Sequence, residues 1–492
     1  MIENISEIKN VYKAKSDTPL TPKMSEWMNN IMGSSEVLES LFEKYDSPIN
    51  VHHLPSFRDN IKDFQDVFNR LELKGQIYFA RKANKCTRLV KEALQFGIGV
   101  DTASYTELNQ SLLLGGNPDK LVLTAAVKNR KLMQLAITNQ VVMVIDNLDE
   151  LQMANQLAGE LNQKCNVAIR LSGFKVGGEK LYSRFGFDIE RDIFSLKMWF
   201  SNNDFPNLML RGIHFHLDGY SIRQRGEAAQ QTLQIIKEFR QQGNVIEFMD
   251  IGGGILMNYL ESENEWNAFQ YNLKSSLYGN QKEITFRNDG LGFHLDEETK
   301  TITGNLRTYP YYNSVNGPEY LENVLQYKNS EGKSVADILK ELNLEVRIEP
   351  GRSLLNQVGI TMAKVIHRKI DANDNWLVGL EMNMSHLKSS SADYLVDPFL
   401  VYKNLPTERE EVQLYFTGAY CLEQDVLLKR ALKFPGLPSQ GDVVIFVNTA
   451  GYMMHFYETQ SHLINLSTNI FTYQSEFQMT DEFKEDIEPE KK

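Results

Sequence analysis

The chain has 492 residues, of which 42% are hydrophobic and 24% charged, the make-up of an ordinary globular protein long enough for two domains. Its formal net charge is −12, and no basic stripe of the kind that tracks a phosphate backbone breaks the acidic balance, so no nucleic-acid partner is expected. No apolar run approaches a membrane span, and the opening residues, MIENISEIKNVYKAKSD, carry no apolar stretch behind their charges, so the expected location is cytoplasmic, away from membranes.

In chain order, a helical patch from Ser35 to Lys44 precedes SPINVHHL, a strand that suits either domain; residues 1–55 are expected to form an N-terminal extension packed with the β domain. Short apolar runs then recur at 76–80, 98–101, 121–124, 142–146, 166–171, 210–216, 246–251 and 345–349. They have the length and continuous hydrophobicity of strands buried on both faces. Helix-like segments alternate with them, such as Thr87 to Leu94, and Glu227 to Arg240 with Ala229, Leu233, Ile236 and Phe239 on one face. Eight strands alternating with helices predict a (β/α)8 TIM-type barrel over residues 56–354, in an α/β chain.

The stretch between the seventh and eighth strands is overlong for one βα unit and predicts an insertion on the barrel rim at about 258–325, either a solvated decoration or a lid or dimer contact. It contains a helix from Trp266 to Leu277 and an Asn/Gly/Tyr-rich region with hairpin character. Beyond residue 355 the runs GITMAKVIH, NWLVGLEM, EVQLYFTGAY, GDVVIFVNT and SHLINL lack intervening long helices and predict an all-β domain over 355–478. Residues 479–492 read as a disordered acidic tail. Three scattered cysteines, Cys86, Cys165 and Cys421, supply neither a disulfide framework nor a metal-binding pair, so reduced thiols and no metal are expected.

In barrels of this type the chemistry sits at the C-terminal ends of the strands. There the chain places Lys82 after the first strand, Asp101 at the end of the second, Arg170 in the fifth, and His214 and His216 at the end of the sixth. Gly252, Gly253 and Gly254 follow the seventh, and Glu349-Pro350-Gly351-Arg352 the eighth. Singly, each has a bland reading: the glycines and the Pro-Gly pair as turns, His214 as a satisfied core residue, Arg170 as a structural ion pair with Glu107 or Asp101. Together, a lysine, a carboxylate, an arginine, a glycine loop and a planar ring at one barrel mouth are what pyridoxal 5′-phosphate (PLP) needs.

These motifs resemble the PLP-dependent decarboxylases of alanine-racemase fold, the group of diaminopimelate, ornithine and biosynthetic arginine decarboxylases. ARKAN resembles the family's lysine motif, GVDTASYTEL its second-strand motif, GIHFH its histidine motif, DIGGG its phosphate loop, EPGR its carboxylate–arginine motif and GAYCLEQD its cysteine motif. The resemblance implies an amino-acid carboxy-lyase in which Lys82 carries the cofactor as a Schiff base, Glu349 pairs with the pyridine nitrogen and His216 stacks on the ring. It implies that Gly252, Gly253, Gly254, Arg352 and Tyr452 hold the phosphate, with Asp101 and Arg170 also at the cofactor. Cys421 would donate a proton across a homodimer interface, so that sites are shared between subunits.

Two departures stand out. The family reads Gly-Ser two and three residues after the second histidine, where this chain has Asp218 and Gly219, which loses a phosphate-binding hydroxyl unless Ser221 replaces it. Leu422 stands where the diamino-acid enzymes carry an acid that grips the substrate's distal amine, leaving Glu423 and Asp425 as the candidate substrate residues. Two other activities fit the same cofactor residues: racemisation or epimerisation, which returns the Cα proton and keeps the carboxylate, and PLP binding without turnover in a carrier or regulatory relative.

Overall fold

The computed structural model describes residues 10–388, 394–406, 410–477 and 482–487. Two compact units divide them: one comprises residues up to Phe57, Met257–Ser314 and Leu355–Asp486, the other Arg58–Leu256, Val315–Leu354 and Ile487.

The second unit is built on eight parallel strands: β1 (Gly75–Ala80), β2 (Gly99–Thr102), β3 (Leu121–Leu123), β4 (Val142–Ile145), β5 (Cys165–Ser172), β6 (Leu208–Phe215), β7 (Phe248–Asp250) and β8 (Glu345–Ile348). Each pairs with the next, and β8 pairs with β1, so the sheet closes on itself. The barrel expected from the eight apolar runs is thus the observed fold. Tyr78, Val122, Val142, Val144, Ala168 and Phe248, drawn from five strands, meet in one buried cluster that only a closed sheet can assemble. Gly99 leaves room for it: a Cβ there would lie 2.4 Å from the Tyr78 ring.

Register sets the site. A bulge between Leu210 and Gly212 in β6 brings His214 opposite Arg170 on β5 and opposite Asp250 on β7. Ala80 stands opposite Asp101. These residues end their strands on the side where the chain turns into the following helices.

The first unit holds a ten-stranded sheet, mostly antiparallel, whose longest strand, Gly359–Ile370, pairs with Ile49–His53, Trp376–Leu380 and Val443–Val447. The SPINVHHL strand therefore belongs to this unit. A buried ion pair, Arg430 Nη1 to Asp397 Oδ1 at 2.8 Å, also binds the incoming chain: Asp397 accepts from the Leu20 amide and Arg430 donates to Ser16 Oγ.

Three expectations need correction. Met257–Ser314 groups with the β unit instead of decorating the barrel rim. Its aromatic rings give the reason: Tyr259, Tyr309, Tyr311 and Trp266 pack on one another with centroids 5.8–6.1 Å apart, buried surface that a solvated decoration would not carry. The SHLINL run is not a strand, because His462 and Leu463 take left-handed backbone angles that a strand cannot hold; the strand is Thr468–Thr472. Within the expected disordered tail, Phe483–Glu485 forms a strand against Thr468–Thr472, anchored by Phe483 stacked on Phe477 at 4.8 Å. Residues 479–481 and 488–492 of that tail lie outside the described residues. No helix among the described residues is long and apolar enough to cross a membrane.

Candidate active site

Lys82 sits in a one-turn 3-10 helix, Arg81–Ala83, directly after β1. The turn aims its ammonium across the barrel mouth, where Nζ lies 3.0 Å from Asp101 Oδ2; the lysine is one-third exposed and the aspartate buried. Thr124 donates its hydroxyl to the other oxygen of Asp101. Burial pushes the Asp101 carboxyl up to about 6, against the pull of Lys82 and of the Thr124 hydroxyl.

Across the mouth, Glu349 follows β8 and is buried. His214 Nε2 lies 3.3 Å from Glu349 Oε1, yet neither ring nitrogen of His214 nor that oxygen makes a hydrogen bond among the described residues. His214 is therefore not the satisfied core histidine expected. Burial lowers its imidazole from the ordinary range, against the pull of Glu349. Burial alone would raise Glu349, but the imidazole of His214 and the charge on Lys82 outweigh it and hold the carboxyl down to about 2. Asp250 takes the opposite course. Burial first, and then the charge on Glu349, push it well above the carboxylate range. Two buried acids whose neighbourhoods differ are thus shifted in opposite directions, Glu349 down and Asp250 up. Ligating atoms of His214, Asp250 and Glu349 lie within 4.8 Å of one another.

The three glycines after β7 are each required. Gly252 and Gly254 have φ of +69° and +75°, and a Cβ on Gly253 would stand 2.5 Å from the Glu349 carbonyl. The Gly253 amide donates to His216 Nδ1 at 3.1 Å, and the Gly252 amide to Asp250 Oδ1 at 2.8 Å. The Glu349 amide returns a bond to the Gly252 carbonyl at 3.0 Å. Accepting at Nδ1 fixes the His216 ring as a neutral tautomer, and burial, Lys82 and Arg225 hold its pKa well below the ordinary value. Arg170, nearly buried, lies 3.9 Å from Asp146 and 4.3 Å over the Phe185 ring, so its carboxylate neighbour is Asp146 and not Glu107 or Asp101. Arg352 opens a 3-10 turn, Arg352–Leu355, three residues after Glu349.

The donor set fits PLP. An ionised buried carboxylate with an unpaired oxygen suits a protonated ring nitrogen, a clamped neutral imidazole suits the ring face, and a loop that admits only glycine suits a phosphate. A family model described as "pyridoxal-dependent decarboxylase, pyridoxal binding domain" matches residues 54–283. Those residues are a pyridoxal-binding domain of the pyridoxal-dependent decarboxylase family.

The chain is 28% identical over 427 residues to an uncharacterised protein, y4yA, of Sinorhizobium fredii, covering 85% of this chain and 86% of that one. It is 23% identical over 448 residues to the diaminopimelate decarboxylase of Bacillus methanolicus, covering 88% and 90%. Its fold is similar to the crystal structure of Helicobacter pylori diaminopimelate decarboxylase complexed with L-lysine, with a TM-score of 0.64, 18% identity, and coverage of 91% and 95%. The members of this family are PLP-dependent amino-acid carboxy-lyases, and the cofactor of this decarboxylase is PLP.

Four candidates from sequence lie on the other unit. Cys421 and Leu422 are exposed on a loop. Glu423 is exposed and pairs with Arg287 at 3.0 Å. Asp425 is buried and accepts from backbone amides at both oxygens, of Met384 at 2.7 Å and Tyr420 at 2.8 Å, so it closes the loop. Tyr452 holds φ at +71°, a left-handed conformation of the kind that clusters at functional sites.

Sequence reasoning left His214, read as a core residue at the mouth, and Asp250 and Thr124 out of the candidate site. Strand periodicity could have found the first, since residues two apart share a face and His216 was already placed there.

The Asp101 carboxyl gives a pH test. In apoprotein, carbon-detected NMR is expected to show one carboxyl titrating near 6 that disappears in Asp101→Asn. Because the Thr124 hydroxyl stabilises the ionised form, Thr124→Val moves that midpoint upward. Below the midpoint the aspartate is neutral and its charge pairing with Lys82 is lost.

Proposed function

We propose that this decarboxylase removes the α-carboxylate of an amino acid or amino-acid derivative, releasing CO2 and an amine, with Lys82 as the residue that binds the cofactor covalently. The match of residues 54–283 to the pyridoxal-binding family carries this reading over racemisation, and the retention of Lys82, His216, Glu349, Arg352 and Cys421 favours turnover over mere cofactor binding. Bound PLP supplies a sink for the electron pair left at Cα when CO2 departs.

The chain's own groups prepare that event. Asp101, ionised above about pH 6, holds the Lys82 amine at the mouth. Glu349, held down to about 2, would offer a carboxylate oxygen to the ring nitrogen and keep a proton there. His216, fixed by the Gly253 amide, presents a flat neutral face. It also lines a small open cleft of about 100 Å³, with Ser172, Tyr182, Ser183, Asp218 and Gln224. By resemblance, Tyr452 and Arg352 would hold the phosphate and Arg170 would serve the cofactor. By the same resemblance, Cys421 of a second copy of the chain would return a proton to Cα, which would make the working form a homodimer. Leu422 replaces the acid that would grip a distal amine, which points to a substrate other than the simple diamino acids, such as a carboxylated polyamine. The protein's place is the cytoplasm.

The test is CO2 release by PLP-loaded protein from a panel of diaminopimelate, ornithine, lysine, arginine, carboxynorspermidine and apolar amino acids. Release from one member is expected. Loss of the Cα proton to solvent with no CO2 from any member would replace decarboxylation by racemisation.

A further inference from the structure

We propose that Arg225 is a phosphate-binding residue of the cofactor site, its guanidinium standing in for the hydroxyl that the His216 loop lacks. The proposal rests on PLP being the cofactor, and goes beyond it by assigning a residue outside the motifs of the resemblance.

Arg225 lies in the first turns of the helix Ile222–Gln241 and is 1% exposed. Its Nη1 donates to the Ile251 carbonyl at 2.7 Å, one residue before the glycine loop. Its Nε and Nη2 are buried and make no hydrogen bond among the described residues, and no carboxylate of those residues lies within salt-bridge distance. A buried cation with open donors and no counter-charge is costly unless an anion joins it.

The open donor faces the glycine loop. A Cβ on Gly254, whose φ is +75°, would stand 2.7 Å from Arg225 Nη2, so only glycine brings this backbone so close to the guanidinium. The loop also has fewer free amides than its three glycines suggest. The Gly252 amide serves Asp250 and the Gly253 amide serves His216. Ser221, the other candidate for the missing hydroxyl, is exposed, and its oxygen caps the helix by accepting from the Gln224 amide at 3.2 Å. A planar cation with two open donors at a helix start, against a glycine turn, is a seat for a phosphate dianion.

The experiment compares equilibrium binding of PLP and of pyridoxal, which lacks the phosphate, to apoprotein, followed by intrinsic fluorescence in wild type, Arg225→Gln and Arg225→Lys. Arg225→Gln is expected to weaken PLP about 10- to 100-fold, the worth of a charged hydrogen bond, and to leave pyridoxal within a few-fold. Arg225→Lys, a point charge in place of a fork, falls between. Inorganic phosphate should compete with PLP in wild type and much less in Arg225→Gln. Equal weakening of PLP and pyridoxal would make Arg225 only a prop for the Ile251 carbonyl and overturn the proposal. If Arg225→Gln does not fold, Arg225→Lys decides by the same comparison. Failure of wild type to bind either ligand would instead overturn the cofactor reading.

Discussion

Lys82→Ala protein releases CO2 from the accepted substrate at least about a thousandfold more slowly than wild type, the scale expected when the covalent anchor of the cofactor is removed. The geometry makes the loss specific. Lys82 is held by Asp101 at 3.0 Å and leaves only one-third of its side chain exposed, so it is placed and not merely present. Removing it frees Asp101, a buried acid whose pKa burial already raises, so the variant's Asp101 titrates higher still and folding is not endangered by a stranded charge. The absorbance of the covalently bound cofactor is expected to vanish while PLP remains bound non-covalently. The same variant tests the shared site. Mixed with an equal amount of inactive Cys421→Ala protein and allowed to exchange subunits, it should recover up to about a quarter of wild-type activity, because half the dimers are mixed and each has one intact site. No recovery, with exchange shown to have occurred, would place both groups in one subunit.

The barrel was legible because its strands are buried on both faces, and such strands read as unbroken apolar runs whatever their neighbours. All eight runs are strands, displaced by a residue or two at their ends. Lys82, Asp101 and Glu349 were legible for a related reason: a charged side chain at the end of an apolar strand has little place to go except the barrel mouth. The other unit was harder. Phe399–Val401 and Leu432–Pro435 are three- and four-residue strands, too short for alternation to show. The allegiance of Met257–Ser314 depends on rings that meet only after folding. Arg225 was invisible for the opposite reason to Lys82. Its setting, IRQRGEAAQQ, reads as a solvated helix face. It is buried in the fold, and the next residue, Gly226, is covered by the Tyr327 ring; a Cβ there would lie 2.3 Å from it.

Glu349→Gln carries the second large expected effect, a fall in kcat of about 10² to 10⁴, or roughly 3 to 5 kcal/mol of transition-state stabilisation. The amide keeps the shape and can still accept a hydrogen bond, but it carries no charge to hold a proton on a ring nitrogen, so the loss should appear in kcat with little change in cofactor affinity. A second readout ties the effect to electrostatics. The charge on Glu349 is, after burial, the main cause that raises Asp250, so Glu349→Gln should lower the Asp250 carboxyl toward its ordinary range. Glu349→Asp, which keeps the charge on a shorter arm, should leave Asp250 raised while losing part of kcat. If Glu349→Gln lowered kcat and left the titration of Asp250 unmoved, the two acids would not be sharing one negative charge. The mouth would then hold its ring nitrogen by some other group, with His214, 3.3 Å from Glu349, the first to replace.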